Sequence, residues 1–582
     1  MPPSLTLARR LRAAIAGVAL AASPAVAQPP PISIVPTPAA LPSAVLPEAV
    51  PAVPVVVSEE DADPKGGGMP PAAAPAGAAP KAPAPPPGPK WVTPPPRAGL
   101  FIVPPTGCGY YSVVDQLRGE TLKAPPKYPY PRFGFIQHSN YDVNWSYLKD
   151  AKNTEHDYAD PLKWIPVADG VTLNVGGDVR YRLMQEENSN NRLNGQLDNH
   201  DLYRNRTYAD LWVNDWLRVY GEFLYADYTR RSVPPLATDA DRGDLLNLFV
   251  DLRVWEFGEK NNPVYVRTGR QELLYGSQRA ISTVDWLNTR RTFQGIKAFT
   301  RTEKWDFDLF MVQPVVPSAD RFNSVDNNQV FSGAWFTYRP AAGMNLDLYY
   351  LNLDNTNPTA RGQYGAVGGQ NVNTIGTRFV GARNNWLWDG EVMGQFGSYS
   401  NQSIVAKAFS VSGGHHFKDA PWEPQVWVGY DYASGDPDPQ NSGTRRTYNQ
   451  LFQFGHYYFT YLDVVARQNI NDVYVQGVVF PEKWLTCIAQ YHVLRLDSDR
   501  DALYAANGAV LRQDRTGRAG NDVGNAIDLR VNAHLTKHTD VLLGYSRLFA
   551  GGFIRNTAGT GPNAGALASD PETWYVQYTY RW

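Results

Sequence analysis

Arginine recurs in this chain at a spacing that places guanidinium groups side by side. Arg180 and Arg182 stand two residues apart, as do Arg204 and Arg206. In an extended strand, residues i and i+2 point to the same face. Residues 269–298, GRQELLYGSQRAISTVDWLNTRRTFQGIKA, add Arg270, Arg279, Arg290, Arg291 and Lys297, with only Glu272 and Asp285 as acids and no histidine or cysteine. A guanidinium is always charged and binds a carboxylate through a planar fork of donors. Such residues suit the handling of anions. They do not supply a nucleophile or a general base.

The elements that must position them read as strands. From residue 170 the hydropathy period is two. In VTLNVGGDVRYRL, Val171, Leu173, Val175, Val179, Tyr181 and Leu183 alternate with Thr172, Asn174, Asp178, Arg180 and Arg182. One face is apolar and the other polar. The pattern recurs to the end, giving about eighteen candidate strands of the ~9–11-residue length that crosses a bilayer, or slightly more. Short turns at 214–215, 259–262, 302–304, 340–343, 383–385, 418–423, 481–483 and 536–540 alternate with mostly longer polar links at 229–244, 271–290, 314–327, 354–372, 434–471, 497–522 and 549–572. Outer-membrane barrels put short turns in the periplasm and long loops outside. An even strand count leaves both ends of the barrel periplasmic. The last strand, WYVQYTYRW, sets Trp574, Val576, Tyr578, Tyr580 and Trp582 on one face, the kind of ending expected to engage the barrel-assembly machinery. The expected fold is all-β: a transmembrane antiparallel outer-membrane β-barrel over residues 169–582. A propeller would show a repeat of about 40–50 residues, and none is visible.

Composition agrees. Aromatic residues reach 12% of the chain, with 33 Tyr and 16 Trp, while mean hydropathy is −0.39. Barrel strands average out in this way, because apolar and polar residues alternate. No run of about 20 apolar residues follows the N-terminus, so a helical membrane protein is excluded. A net charge of −2 excludes a global basic field for nucleic acid.

The N-terminus reads as a targeting segment. Arg9, Arg10 and Arg12 precede the apolar run AAIAGVALAA, and Ala25-Val26-Ala27 is an A-x-A site, predicting a signal peptide over 1–27. Residues 28–100 are Pro/Ala-rich and cannot form a packed core, so they read as a disordered periplasmic linker. Residues 101–168 are irregular and read as a periplasmic lead-in or partial plug. The two cysteines, Cys108 and Cys487, make no disulfide framework and no metal motif.

With the strands in hand, several stretches resemble the alginate export family of outer-membrane porins. They are residues 269–298, LFQFGHYYFTYLDVVARQNINDVYV (451–475), VGNAIDLRV (523–531) with LLGYSRLFAGGFI (542–554), and NYDVNWSYLKD (140–150) with DPLKWIP and GGDVRYR. The resemblance covers roughly 140–582. It implies a barrel of about eighteen strands and passage of an anionic polysaccharide, the polyuronate alginate.

Parity assigns a lumen. Arg180, Arg182, Arg204, Arg206 and Arg218 form a basic arc on neighbouring strands, and Arg253, Arg267, Arg378 and Arg530 face inward elsewhere. Rings of Arg and Lys are a device of anion pores. Arg270, Arg279, Arg290 and Arg291 belong to a mouth and its loop. The same inward faces carry Asp178, Asp210, Glu222, Asp251, Asp389, Glu391 and Asp528, besides Asp306 and Asp308. These acids equally suit cross-strand pairing that stiffens the wall. The parity of 291–301 is mixed and leaves the direction of Lys297 open.

Competing chemistry finds little support. Inward His492 and His534 join no Ser or paired carboxylate, so no enzyme is expected. His415-His416 and His534 with His538 lack the helical spacing of a metal pair, so no metal or other cofactor is expected. GDPDPQNSG (435–443) offers oxygen ligands that suit calcium and equally reads as a solvated turn. A TonB-type transporter wants about 22 strands and a folded plug. The sequence therefore reads as a passive, charge-selective channel for anionic polysaccharide or small anions. Its partners would be outer-membrane lipid, the barrel-assembly machinery and periplasmic export proteins, with no nucleic acid. The alternative is a general small-solute porin with a mixed-charge lumen.

Overall fold

The computed structural model of the chain describes residues 102–127, 139–189, 193–259, 261–439, 441–559, 563 and 565–582. The expected signal peptide and Pro/Ala-rich linker lie outside them.

Eighteen antiparallel strands close into one barrel. In chain order they are β1 (Val171–Glu187), β2 (Leu197–Val213), β3 (Leu217–Thr229), β4 (Asp241–Phe257), β5 (Asn262–Gln271), β6 (Phe293–Arg301), β7 (Trp305–Val316), β8 (Gln329–Tyr338) and β9 (Met344–Arg361). They continue as β10 (Val367–Arg383), β11 (Trp386–Tyr399), β12 (Gln402–His416), β13 (Gln425–Ala433), β14 (Ile470–Glu482), β15 (Leu485–Arg495), β16 (Asp522–His534), β17 (Thr539–Ala550) and β18 (Glu572–Arg581). Each pairs with its neighbour in sequence, and β1 closes on β18 through a register running from Asp178↔Arg581 to Glu187↔Glu572. Closure leaves no strand edge unpaired, which a lipid environment requires.

Alternation along each strand fixes what faces lipid. Leu248, Leu252, Leu309, Met311, Ile375, Val392, Val405, Val428 and Val475 are exposed on the outer wall. Trp216, Trp255, Trp386 and Trp422 are exposed near the short turns, as expected of an interfacial aromatic girdle. The short turns are tight. Asn384 and Asn385 both take positive φ, the geometry of a type I′ hairpin turn matched to strand twist.

Several strands run further than the pattern predicted. β9 and β10 extend to Arg361 and Val367, shrinking the expected 354–372 link to 362–366. An amide ladder leads into the extension: Asn352 Nδ2 donates to Asn371 and Asn373 at 3.1 and 3.0 Å, and Asn371 Nδ2 donates to Asp354 at 3.3 Å. Hydropathy alternation fades where both faces meet water, although the backbone pairing continues.

The interior is filled. Residues 272–292, between β5 and β6, and 446–469, between β13 and β14, fold inward and meet in a parallel bridge, Ile281↔Phe452. A buried apolar cluster joins Leu273, Tyr275 and Phe452 of these loops to the inward residues Phe310, Phe331 and Trp335. Gly276 permits this approach. It has φ +52°, and a Cβ there would lie 2.6 Å from Trp335.

Candidate functional site: the barrel interior

The basic arc is built by register. β1 and β2 place Arg180 directly opposite Arg204, and Asp178 opposite Arg206. Like charges directly opposite destabilise a pair of strands, so the Arg180–Arg204 pair needs a counter-charge. The first inward loop supplies it. Arg204 Nη2 lies 2.8 Å from Asp285 Oδ1. Arg180 donates to the Asp285 and Leu287 carbonyls at 2.6 and 2.5 Å. Arg182 donates to the Trp286 carbonyl at 2.9 Å and lies 3.6 Å over its ring, while Gln577 holds its other nitrogens. Arg206 pairs with Asp178 at 2.5 Å and Glu222 at 3.4 Å. Arg180, Arg182, Arg204 and Arg206 are each under 2% exposed.

The loop is itself held by charge. Arg290 bonds both Glu272 and Asp285. Burial alone would raise the Asp285 carboxyl, but Arg204, Arg290, Arg180 and Arg206 outweigh it and hold its pKa well below the usual carboxylate value. Arg279 reaches across the interior to Glu391 at 3.1 Å and Asp389 at 3.4 Å. Arg291 donates to the Phe452 carbonyl at 2.6 Å, which ties the two loops together. Arg270 stays at the upper rim, on Asp244 at 2.6 Å and the Asn323 carbonyl at 3.0 Å.

The remaining residues separate by location. Arg218 takes Asp210 through Nε at 2.7 Å. Arg267 takes Asp251 through two nitrogens at 2.7 and 2.8 Å, and Arg378 takes Asp389 at 2.9 Å through each of two nitrogens. Arg530 lies 3.9 Å over the Tyr461 ring. Arg253, expected to face inward, is part-exposed beside the short turn at 214–215 and bonded to Asp215 and Glu256. Of the acids, Glu391 also accepts from Tyr349 at 2.8 Å. Asp528 accepts from Ser546 and stands 3.4 Å from His492 Nε2. Asp306 and Asp308 pair with Arg339 and Arg301 at 2.7 and 2.8 Å. His492 bonds Asp472 at 2.7 Å and His534 bonds Asp540.

Three features were not read from the sequence. One is the second loop as an interior element. His456 stacks on Trp286 at 3.7 Å and bonds Asp463 at 3.0 Å, and burial keeps its imidazole below the ordinary value despite that carboxylate. Arg467 pairs with Asp431 at 2.9 Å. The run LFQFGHYYFTYLDVV was the available signal, because so many apolar residues in a nominally external loop must be covered. Another is the seat of residues 139–145, part of the segment read as a lead-in or partial plug, inside the barrel beside the first strands. Asn140 donates to Glu222 at 2.9 Å, Tyr141 donates to the Glu272 carbonyl at 2.8 Å, and Arg218 donates to the Tyr141 carbonyl at 2.7 Å. The third is Lys297, which faces inward and is 8% exposed.

Glu186, Asp198 and His200 cluster at the outer end of β1 and β2, close enough to suggest a cation. The Arg231 guanidinium already stands 3.4 Å from Asp198 and 4.0 Å from Glu186. A cation there would be repelled, so the cluster reads as an ion-paired loop anchor.

The family model described as "Alginate export" matches residues 171–565. None of the curated proteins matches the chain. Among solved structures the chain is similar to OpdK of Pseudomonas aeruginosa, solved with vanillate, at 10% identity and TM-score 0.46, covering 70% of this chain and 98% of that one. It is also similar to OpdQ of Pseudomonas aeruginosa, at 11% identity and TM-score 0.46, covering 71% and 98%. A third is OccAB4 of Acinetobacter baumannii, at 9% identity and TM-score 0.45, covering 70% and 97%.

Proposed function

This chain belongs to the alginate export family of outer-membrane barrels, and from that premise we propose that it is a channel that passes anionic solutes, polyuronate among them, along its arginine wall. The observation that carries the reading is the Arg180–Arg182–Arg204–Arg206 arc holding Asp285 and three loop carbonyls. These oxygens stand where a passing carboxylate would bind. An anion entering the lumen exchanges with them, and each guanidinium passes from the loop to the solute and back. Each contact is a charge-assisted hydrogen bond, and several in series let a polyanion advance without being trapped. No nucleotide-binding motif is visible in the sequence, so the driving force is a concentration gradient or an upstream synthesis machine. Periplasmic export proteins would then be partners of the N-terminal segment, with the barrel-assembly machinery acting earlier.

The dense pairing of lumen arginines with acids favours a second reading, a mixed-charge porin for small solutes. Titration of the bilayer-reconstituted channel with oligouronate separates the two. Polyuronate passage predicts concentration-dependent block, weakened when Arg180, Arg182, Arg204 and Arg206 are together replaced by Ala in a barrel that still runs as a folded species on unheated gels. A pore blind to oligouronate before and after the replacement contradicts it.

A further inference from the structure

His538 stands in the short turn between β16 and β17 and is buried. Its Nδ1 lies 2.6 Å from the Arg581 carbonyl at the end of β18. Its Nε2 lies 2.9 Å from Asp157 Oδ1, in the segment that leads into the barrel. A carbonyl and a carboxylate only accept. Both ring nitrogens must therefore carry a proton, and the ring seated here is an imidazolium. A neutral imidazole has one donor and would turn a lone pair toward one of the two oxygens. Burial raises the Asp157 carboxyl, but the Ala159 amide and His538 outweigh it and hold it below the usual carboxylate value, so the acceptor stays charged.

The contact fastens more than one residue. The Tyr158 ring lies 4.5 Å from the imidazole, and its hydroxyl meets that of Tyr580 at 2.8 Å. Further along the segment, Trp164 donates through Nε1 to the Trp145 carbonyl at 2.6 Å, and Lys163 lies 4.6 Å over the Trp145 ring. Trp145 ends the stretch that Asn140 and Tyr141 hold inside the barrel. His538 thus grips one end of a continuous segment whose other end occupies the lumen.

We propose that His538 and Asp157 form a proton-operated latch that seats residues 139–164 in the short-turn end of the barrel and narrows the lumen more in acid than in alkali. An ordinary imidazole changes charge between about pH 5 and 8. A bond made only by the protonated ring is complete below that window and is lost as pH rises through it. The charges around the pair do not replace it. Lys127, Lys537, Glu155 and Asp160 line the small cleft beside it, with Lys537 3.7 Å from Glu155. Arg581 and His534 both bond Asp540, which joins barrel residues to each other. Lys163 acts in the opposite sense. Burial lowers its ammonium to about 7, so its seat favours the neutral amine and gains as pH rises. The latch does not depend on which solute the lumen passes.

The test follows hydrogen exchange of residues 156–163 in the full chain in detergent micelles at about pH 5.5 and about pH 8.5, either side of the imidazole window, with rates corrected for the intrinsic pH dependence of exchange. Single-channel conductance of the same protein is read in a planar bilayer at the same two pH values. Wild-type protection is expected to fall about tenfold at the higher pH, through loss of one charge-assisted hydrogen bond, and openings to a higher conductance level to become more frequent. Asp157→Asn supplies an amide that accepts from a protonated nitrogen or donates to a bare one. It is expected to abolish the fall while the segment stays seated. His538→Gln is expected to abolish the fall as well, in a barrel that still runs as a folded species on unheated gels. Equal wild-type protection at the two pH values overturns the latch, and so does a fall that survives in both variants. Protection that falls while conductance stays unchanged overturns its control of the lumen, and so does conductance that rises on acidification.

Discussion

Arg180 and Arg204 face each other across one strand pair, and Asp285 is what makes the arrangement tenable. Removing one partner of a buried ion pair costs about 3–5 kcal/mol, because the other charge stays desolvated. Asp285→Ala is therefore predicted to unseat residues 283–288 without opening the barrel. Single-channel conductance should rise and the loop should become sensitive to protease, while gel mobility of the unheated barrel stays that of a folded species. Unchanged conductance would show that the backbone carbonyls alone hold the loop. The pH dependence follows from the depressed carboxyl. A carboxylate held below its unfolded value of 3.8 contributes stability that is fully present above pH 3.8 and lost only as pH falls through the lower folded value. Conductance is thus predicted to be flat on acidification from neutral pH to about pH 4 as far as this bridge controls it. A sharp rise between pH 7 and pH 5 would move control to His456, whose imidazole sits between Asp463 and Trp286.

At the scale of elements, two inward loops and eighteen strands were not equally legible. Strands announce themselves by period two, since one face meets lipid and the other does not. That rule set Arg180, Arg182, Arg204 and Arg206 on one face of β1 and β2, and the structure has all four buried, as it has Arg267 and Arg378. It failed at the ends of strands, as at β9 and β10, where both faces are wet and side chains stop alternating. It also failed at 293–301, where Phe293, Lys297 and Phe299 all turn inward, Phe293 onto the apolar loop cluster and Phe299 onto the ring of Tyr265 on the next strand. Loop residues carry no period, so nothing in their spacing said that Arg279 would cross to Glu391. The loop-to-loop contact makes its own prediction. Phe452 packs edge-on to Phe293 at 5.1 Å and against Phe331 at 4.8 Å. Phe452→Ala should cost about 3–5 kcal/mol locally, seen as more frequent transitions to a higher conductance level. Conductance traces identical to wild type would mean that the second loop is held by Arg291 and Arg467 alone.

The whole molecule is a barrel narrowed from two directions. Two long loops enter from one end, and residues 139–145 enter from the end that carries the short turns. The expectation of a lead-in or partial plug at 101–168 left its position open, because an irregular aromatic segment has no periodicity to aim it. The structure gives it specific seats: Tyr141 against Tyr220 and Phe249, and Ile102 against Val478, Phe480 and Ile488. Deleting residues 139–145 is predicted to increase conductance without loss of the folded barrel, and an unchanged conductance would show that the segment does not obstruct flow. The central claim, that the arginine wall makes this barrel an anion channel, is tested most directly by the reversal potential of the full chain in a planar bilayer across a salt gradient. The account predicts a reversal potential of the sign set by anion permeation, falling toward zero when Arg180, Arg182, Arg204 and Arg206 are replaced together by Ala. A potential near zero or of cation sign in the unaltered chain would contradict it.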